Sequence, residues 1–199
     1  NATTGESAPW TEGLDSVSCA SVSPDGSKLA FTSQRDGNLD IYIAQINNTE
    51  LSTPINITNT PLLHEGCPAW SPDGSRIVFS ALGEGYLKGD QIYIIDLGTS
   101  EQTLLTQDET ITWGDPVWSP DGKQIAVSAQ KIKDEAIYLI NTDGSNPTQI
   151  SESFAINNAY LRTITSPAWS PDGTQIAFLS YSDGSPDIIT LNVNGDNKT

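Results

Sequence analysis

Three acidic residues, Asp15, Glu65 and Asp115, are the first candidates for chemistry in this sequence. A hard cation such as Ca²⁺ takes about six to eight oxygen ligands at roughly 2.3–2.6 Å, so converging carboxylates and backbone carbonyls can hold it. We therefore treat these three residues as a candidate site for Ca²⁺ or another hard cation. The alternative is that they are ordinary solvated acids.

Two cysteines, Cys19 and Cys67, form the second candidate group and are 48 residues apart. They could pair as a disulfide, which typically stabilises a fold by roughly 2–4 kcal/mol, or remain as two buried thiols. A structural zinc site needs about four Cys or His ligands. The chain has two Cys and one His, so we exclude a cysteine-zinc site.

The sequence lacks the local signatures of the common enzyme classes. There is no Gly-x-Ser-x-Gly elbow, no phosphate-binding loop and no zinc motif, and His64 has no nucleophile marked by the sequence. We therefore predict a non-catalytic protein. Carboxylate pairs are abundant, so a glycan-acting enzyme or a lectin-like binder that uses acidic and aromatic residues remains the alternative.

The charge of the chain limits the partners it can have. It has 25 acidic and 9 basic residues in 199, a formal net charge of −16. A nucleic-acid-binding surface needs clustered Lys and Arg, so nucleic acid is excluded as a partner and anionic membranes are disfavoured. No apolar run approaches the ~18 residues of a membrane-spanning helix, so we predict no membrane insertion.

A repeat positions these residues. The tetrapeptide Ser-Pro-Asp-Gly occurs four times, with spacings of 48, 48 and 51 residues. Pro presets φ at the second position of a tight turn and Gly takes a left-handed conformation at the fourth. Apolar segments rich in β-branched and aromatic residues flank each turn and predict strands. Four strands, which we call a to d, recur every 40–50 residues, as in propeller blades. The four copies are residues 23–26, 71–74, 119–122 and 170–173.

The repeat closely resembles the TolB-type, WD-like β-propeller repeat family. The resemblance rests on Pro-Ala-Trp-Ser-Pro-Asp-Gly followed by an apolar strand and Asp-Ile-Tyr, and the first copy departs from it with Val22 in place of Trp. It implies an all-β fold, a four-bladed β-propeller of four-stranded antiparallel blades in one domain. The predicted blades lie near residues 14–60, 61–108, 109–153 and 154–199.

The ends of the chain raise the question of how the ring closes. The fourth repeat stops before a strand d, and residues 8–13 are placed to supply it, which would close the last blade with the N-terminal strand. We favour this closed monomer. Two alternatives are an open half-ring that pairs with a second copy into an eight-bladed dimer, and a fragment of a longer chain.

Function in repeat proteins concentrates where the repeats differ. Three extra residues fall in the b–c connection of the second blade, and six fall between the third and fourth blades. In a propeller the b–c and d–a connections share one face, which we call the loop face. We predict that it binds a protein partner, in the periplasm or outside the cell as the resemblance implies. The alternative is that its aromatics cover the core. The candidate binding residues are His64, Tyr86, Lys88, Trp113, Phe154, Tyr160 and Arg162.

The same alignment places the cysteines on the inner strands. Strand a lines the central channel of a propeller, and Cys19, Cys67, Asp115 and Ser166 occupy one level of it. The two cysteines are therefore equivalent positions in adjacent blades. This placement keeps both a disulfide and a cation near the channel as hypotheses.

Overall fold

The computed structural model describes residues 17–48, 50–83, 89–132, 134–155, 164–181 and 185–194. Every regular element in these ranges is a β-strand, and the strands form four antiparallel sheets arranged as the blades of a β-propeller. The predicted all-β, four-bladed fold is therefore confirmed. None of the described elements is a helix that could span a membrane.

The first two blades follow the predicted order, except that in the first blade the last strand, β5 (Ile55–Asn56), pairs with β3 (Asp40–Asn47) rather than with the short strand β4 (Glu50–Leu51) between them. The extra residues after strand c of the first blade form an additional hairpin, in which Ile46 pairs with Leu51. The strands are β1 (Val17–Val22), β2 (Lys28–Ser33), β3 (Asp40–Asn47), β4 (Glu50–Leu51), β5 (Ile55–Asn56), β6 (Leu63–Trp70), β7 (Arg76–Gly83), β8 (Gln91–Asp96) and β9 (Gln102–Leu104).

The third and fourth blades differ from the prediction at their boundary. We predicted that the fourth blade begins at residue 154, but Phe154 pairs with Glu135 and so extends the third sheet. The described part of the fourth sheet has three strands, and residues 8–13, predicted to complete it, lie outside the described ranges. The strands are β10 (Thr112–Trp118), β11 (Gln124–Gln130), β12 (Asp134–Asn141), β13 (Thr148–Gln149), β14 (Phe154–Ala155), β15 (Ile164–Trp169), β16 (Gln175–Ser180) and β17 (Asp187–Asn192).

The Ser-Pro-Asp-Gly segments form the same turn in all four blades. In the second copy, Ser71 Oγ donates to Asp73 Oδ1 at 2.6 Å and accepts from the Arg76 amide at 2.9 Å. The Gly74 amide closes the turn on the Ser71 carbonyl at 2.9 Å, with φ of +71° at the glycine. The hydroxyl of Ser71, followed by the backbone and hydroxyl of Ser75, lowers the pKa of Asp73 to about 2. The turn is thus a self-contained hydrogen-bonded unit, as its residue types predict.

The three junctions between successive blades are also built alike. The Trp before each turn donates its indole N–H to a carbonyl of the preceding blade: Trp70 to Ser21 at 3.0 Å, Trp118 to Ala69 at 3.2 Å and Trp169 to Val117 at 3.4 Å. Apolar clusters fill the space between the first and second, second and third, and third and fourth sheets. A further apolar cluster, with Leu29, Phe31, Tyr42 and Ala44, belongs to the first sheet alone. Most of the described core therefore lies between blades.

Among the described residues, the first blade lacks the Trp-to-carbonyl hydrogen bond that joins each later blade to its predecessor. Val22 stands where the other blades have Trp, and its side chain is 51% exposed. A Cβ at Gly26 would meet no atom within 4 Å, whereas the equivalent Gly122 lies against Pro72 of the preceding blade. Each of the three Trp residues contacts the blade before its own. Within the described part of the chain, the first blade has no such preceding blade, and it is the blade in which Val22 replaces Trp.

Candidate functional site

The loop face forms where the b–c and d–a connections meet. Asn38, in the first b–c connection, donates its side-chain amide to the carbonyls of Thr60 and Leu63 at 2.9 Å each. In the second blade, Gln91 likewise donates to the carbonyl of Ile111 at 3.3 Å. These amides tie each b–c connection to the d–a connection beside it. The predicted sharing of one face is therefore confirmed at the first two junctions.

Three exposed apolar side chains project from this face, and the sequence analysis missed all of them. Leu62 is 57% exposed, Ile132 is 92% exposed and Tyr181 is 41% exposed. Leu62 lies in a d–a connection, while Ile132 and Tyr181 follow strand b of the third and fourth blades. The prediction relied on the two connections that carry extra residues, and none of these three residues lies in them. A better signal was an apolar residue directly after a b strand, where the connection leaves the core.

Two of the residues predicted to bind a partner, Trp113 and Phe154, are buried and so are not available as exposed contacts. Trp113 lies in strand β10 and is 3% exposed, with its ring edge-on to Tyr138 at 5.4 Å between centroids. Phe154 is 7% exposed and packs edge-on against Phe178 at 5.9 Å. Both rings fill the space between neighbouring blades. The alternative interpretation, that loop aromatics cover the core, therefore holds for these two.

The remaining predicted binding residues divide between the described and undescribed parts of the chain. His64 is half-buried in strand β6, opposite Leu82, rather than in a loop. The other four binding residues and one predicted metal ligand lie outside the described ranges: Tyr86, Lys88, Tyr160, Arg162 and Asp15.

A groove of about 350 Å³ opens between the second and third blades. Leu104 and Asp108 of the second blade and Trp113 and Gly144 of the third blade line it. The Trp113 indole nitrogen is buried, and no hydrogen-bond acceptor within the described residues reaches it. A buried N–H without an acceptor carries an energetic cost.

Glu65 is buried against the first blade instead of facing an open channel. It is 1% exposed, and its carboxylate accepts hydrogen bonds from the hydroxyls of Thr58, at 3.2 Å, and Thr60. It also hydrogen-bonds Asp40, which in turn accepts from the Asn56 side chain at 2.7 Å. Burial, followed by the proximity of Asp40, raises the pKa of Glu65 to about 8 despite the two hydroxyl donors. Glu65 is thus a protonated structural acid at neutral pH.

Asp115 lies at the bulge of strand β10, where Ser128 donates to it at 3.4 Å. Among the described residues, no group of three or more His, Cys, Asp or Glu side chains is arranged to hold a metal. Because Asp15 lies outside them, the cation site stays a prediction, and Glu65 is its weakest member.

The predicted equivalence of Cys19, Cys67 and Asp115 is visible in the backbone. All three occupy β-bulges of strand a, with φ of +44°, +49° and +49°. Left-handed φ values are uncommon for residues other than Gly, so their repetition marks one structural position. The structure contains both cysteines as thiols. The predicted disulfide is therefore an untested hypothesis.

Comparison with known proteins agrees with this architecture. A curated relative, the Tol-Pal system protein TolB of Desulfosudis oleivorans, is 42% identical over 52 residues, which is 26% of this chain and 10% of that protein. The crystal structure of TolB from Acinetobacter baumannii superposes with a TM-score of 0.75 at 22% identity, covering 93% of this chain and 43% of that one. A putative TolB from Agrobacterium tumefaciens gives a TM-score of 0.72 at 23% identity, covering 94% and 67%.

The chain thus spans a tenth of the curated TolB and less than half of the Acinetobacter protein. At these identities the solved structures establish the fold alone. The family itself is established by sequence, because residues 67–199 match the family described as the TolB beta propeller domain. The chain belongs to the TolB β-propeller domain family.

Proposed function

We propose that this chain is a non-catalytic protein-interaction module that binds its partner with the loop face. The observation that carries the proposal is the position of Leu62, Ile132 and Tyr181, which expose large apolar side chains at that end of the blades. Loops held by a rigid scaffold are common places for binding residues. The groove lined by Trp113, between the second and third blades, is a further concave feature of the surface. As the family resemblance implies, the module acts in the periplasm or outside the cell.

The acidic surface supports a protein partner rather than a polyanion. The chain has a net charge of −16, so the partner surface we expect is basic or neutral around an apolar centre. Asp108, on the wall of the groove, has its pKa lowered first by the Thr110 hydroxyl and then by its backbone amide. A carboxylate that stays ionised at neutral pH would favour a cationic group in the partner.

A glycan-acting enzyme is the alternative, and the described residues do not favour it. Glu65, one of the three acids named as a candidate cation site, is buried and occupied by Thr58, Thr60 and Asp40. A catalytic carboxyl must reach the scissile bond of a bound sugar. Glu65 cannot do so without disrupting the junction between the first two blades.

The test is a comparison of three immobilised proteins by quantitative mass spectrometry of what each retains from an extract. One is the wild type, and one carries Leu62→Ser, Ile132→Ser and Tyr181→Ser. The matched control carries Val22→Ser, Ile55→Ser and Ile188→Ser, at exposed apolar residues outside the loop face. We expect a discrete protein that the wild type and the control retain and the loop-face variant loses. Equal retention by all three proteins would contradict the proposal.

A further inference from the structure

Cys19 and Cys67 form a pair that the proposed function does not use. They occupy equivalent β-bulges of the inner strands β1 and β6, in the first and second blades. A bulge re-aims the side chain of the extra residue away from the regular pleat. Both residues have nearly the same backbone conformation, with φ of +44° and +49°. The two thiols are therefore presented in the same way from adjacent blades.

The junction between the two blades holds these thiols together. The Cys67 thiol hydrogen-bonds the sulfur of Cys19, and the Cys67 backbone amide donates to the same sulfur. Close to the pair, the Trp70 indole on strand β6 donates to the Ser21 carbonyl on strand β1 at 3.0 Å. This hydrogen bond ties together the two strands that carry the sulfurs.

We propose that Cys19 and Cys67 are a redox-active dithiol, which closes to a disulfide between the first and second blades by exchange with an external disulfide such as oxidised glutathione. The geometry assigns different roles to the two residues. Cys19 is exposed, whereas Cys67 is half-buried, so Cys19 meets the oxidant and Cys67 resolves the intermediate. This inference concerns the inner strands and does not depend on a partner at the loop face.

The reaction proceeds in two exchanges. The Cys19 thiolate attacks one sulfur of the external disulfide, which forms a mixed disulfide and releases one thiolate. The Cys67 thiolate then attacks the Cys19 sulfur, and the second external thiolate leaves. The two protein thiols lose two electrons and two protons. The external disulfide accepts the two electrons, and its two thiolates take up the protons.

The electrostatics of Cys19 favour the first exchange. Hydrogen bonding from the Cys67 thiol lowers the pKa of Cys19 to about 6, against the opposing effects of burial and of Asp115. The thiolate is the nucleophile in thiol–disulfide exchange. At neutral pH the exposed cysteine is therefore mostly in its reactive form.

The test equilibrates the full chain with reduced and oxidised glutathione in ratios that span a wide range of potentials. Acid quenching, alkylation and intact-mass spectrometry then count the thiols. We expect the oxidised wild type to lose both thiols together, to lose the mass of two hydrogens and to carry no glutathione. Cys67→Ser should instead stop at one glutathione on Cys19, and Cys19→Ser should react much more slowly.

A second measurement separates a preorganised pair from two ordinary cysteines. The same titration in concentrated urea gives the potential of the pair in the unfolded chain. We expect the folded chain to keep its disulfide at more reducing potentials, because the junction holds the sulfurs together. The proposal is wrong if the folded wild type retains two alkylatable thiols under oxidising conditions or accumulates glutathione adducts. Disulfide-linked dimers on a non-reducing gel, or an equal potential in urea, would also overturn it.

Discussion

The two ends of the blades follow different rules. At the turn end, the Ser-Pro-Asp-Gly hydrogen bonds repeat in all four blades, with Ser-to-Asp distances of 2.6–2.7 Å. At the loop end, the side-chain contacts differ from one junction between blades to the next. The first has the Glu65–Asp40 acid pair, the second has Trp113 against Tyr138, and the third has Phe154 against Phe178.

In this repeat protein, the residues that hold the blades together and the residues that vary from blade to blade lie at opposite ends. The turn end needs only local residue types, so it can be copied from blade to blade without change. The loop end is free to vary because the turns and the intervening Trp residues already hold the blades together. Function is therefore expected at the loop end, and the largest stability effects are expected nearer the turn end.

The strongest test of this comparison is Trp118→Ala. Trp118 is buried between the second and third blades, its indole donates to the Ala69 carbonyl at 3.2 Å, and the Arg76 guanidinium lies 4.8 Å from its ring centre. Removing a buried Trp typically costs about 3–5 kcal/mol of unfolding free energy. We expect that loss in urea denaturation followed by circular dichroism. Trp118→Phe, which keeps a ring but no donor, should lose less than Trp118→Ala. Unchanged stability in Trp118→Phe would refute the role given to the hydrogen bond, and losses equal to those of Trp118→Ala would refute the role given to ring packing.

The next test compares two copies of the turn. Ser71→Ala removes a buried hydroxyl that bonds both Asp73 and the Arg76 amide, at 2.6 and 2.9 Å. Losing such a hydroxyl should cost about 1–3 kcal/mol. Ser119 makes the same two bonds in the third blade, at 2.7 and 3.0 Å, so Ser119→Ala should cost the same within about 0.5 kcal/mol. Unequal losses measured by urea denaturation would show that the turns are not equivalent units.

A third test addresses the acid pair at the loop end. The pKa of Glu65 is raised from its usual 4.5 to about 8 in the folded chain, so the folded state binds a proton that the unfolded state releases. This contribution to stability is complete below pH 4.5 and falls as the pH rises toward 8. Glu65→Gln should therefore reduce the loss of melting temperature between pH 5 and about 9. The exposed Glu101→Gln is the control and should keep the wild-type pH dependence; if both variants behave alike, Glu65 is not the titrating group.

The smallest effect is expected at the exposed part of the loop face. Ile132 is almost fully exposed, so Ile132→Ser should change the unfolding free energy by less than about 0.5 kcal/mol. Ile125→Val, at a buried position of strand β11, which ends two residues before Ile132, should cost about 0.5–1.5 kcal/mol although it removes only one methylene. Thermal denaturation of the two variants measures both effects. A large loss at Ile132 would mean that its loop is part of the core.

Much of the fold could be predicted because its signals are local. Pro presets the backbone at the turn, Gly122 adopts φ of +70° there, and apolar residues alternate in the flanking segments. The hydroxyl that ends strand d is another local signal: Thr106 accepts the Ile92 amide at 2.9 Å, as Ser151 accepts that of Ile137. These features depend on a few neighbouring residues, so the sequence alone reports them.

The candidate site was harder to predict because it depends on which surfaces meet. Trp113 and Phe154 have the residue types of a recognition surface, yet neighbouring blades bury them. Ile132 has the residue type of a core residue, yet it is exposed. Residue type gives a preference for burial, and only packing against another segment satisfies it.

The sequence by itself therefore determined the repeat, the turns, the strands and the equivalence of Cys19 with Cys67, because each follows from local backbone preference and spacing. Only the tertiary structure decided that Glu65 is a buried, protonated acid and that Phe154 extends the third blade. It also decided that the two thiols share a hydrogen bond. Burial and distance depend on residues that are far apart in the chain. Asp40 and Glu65, for example, are 25 positions apart, so no local sequence pattern reports their contact.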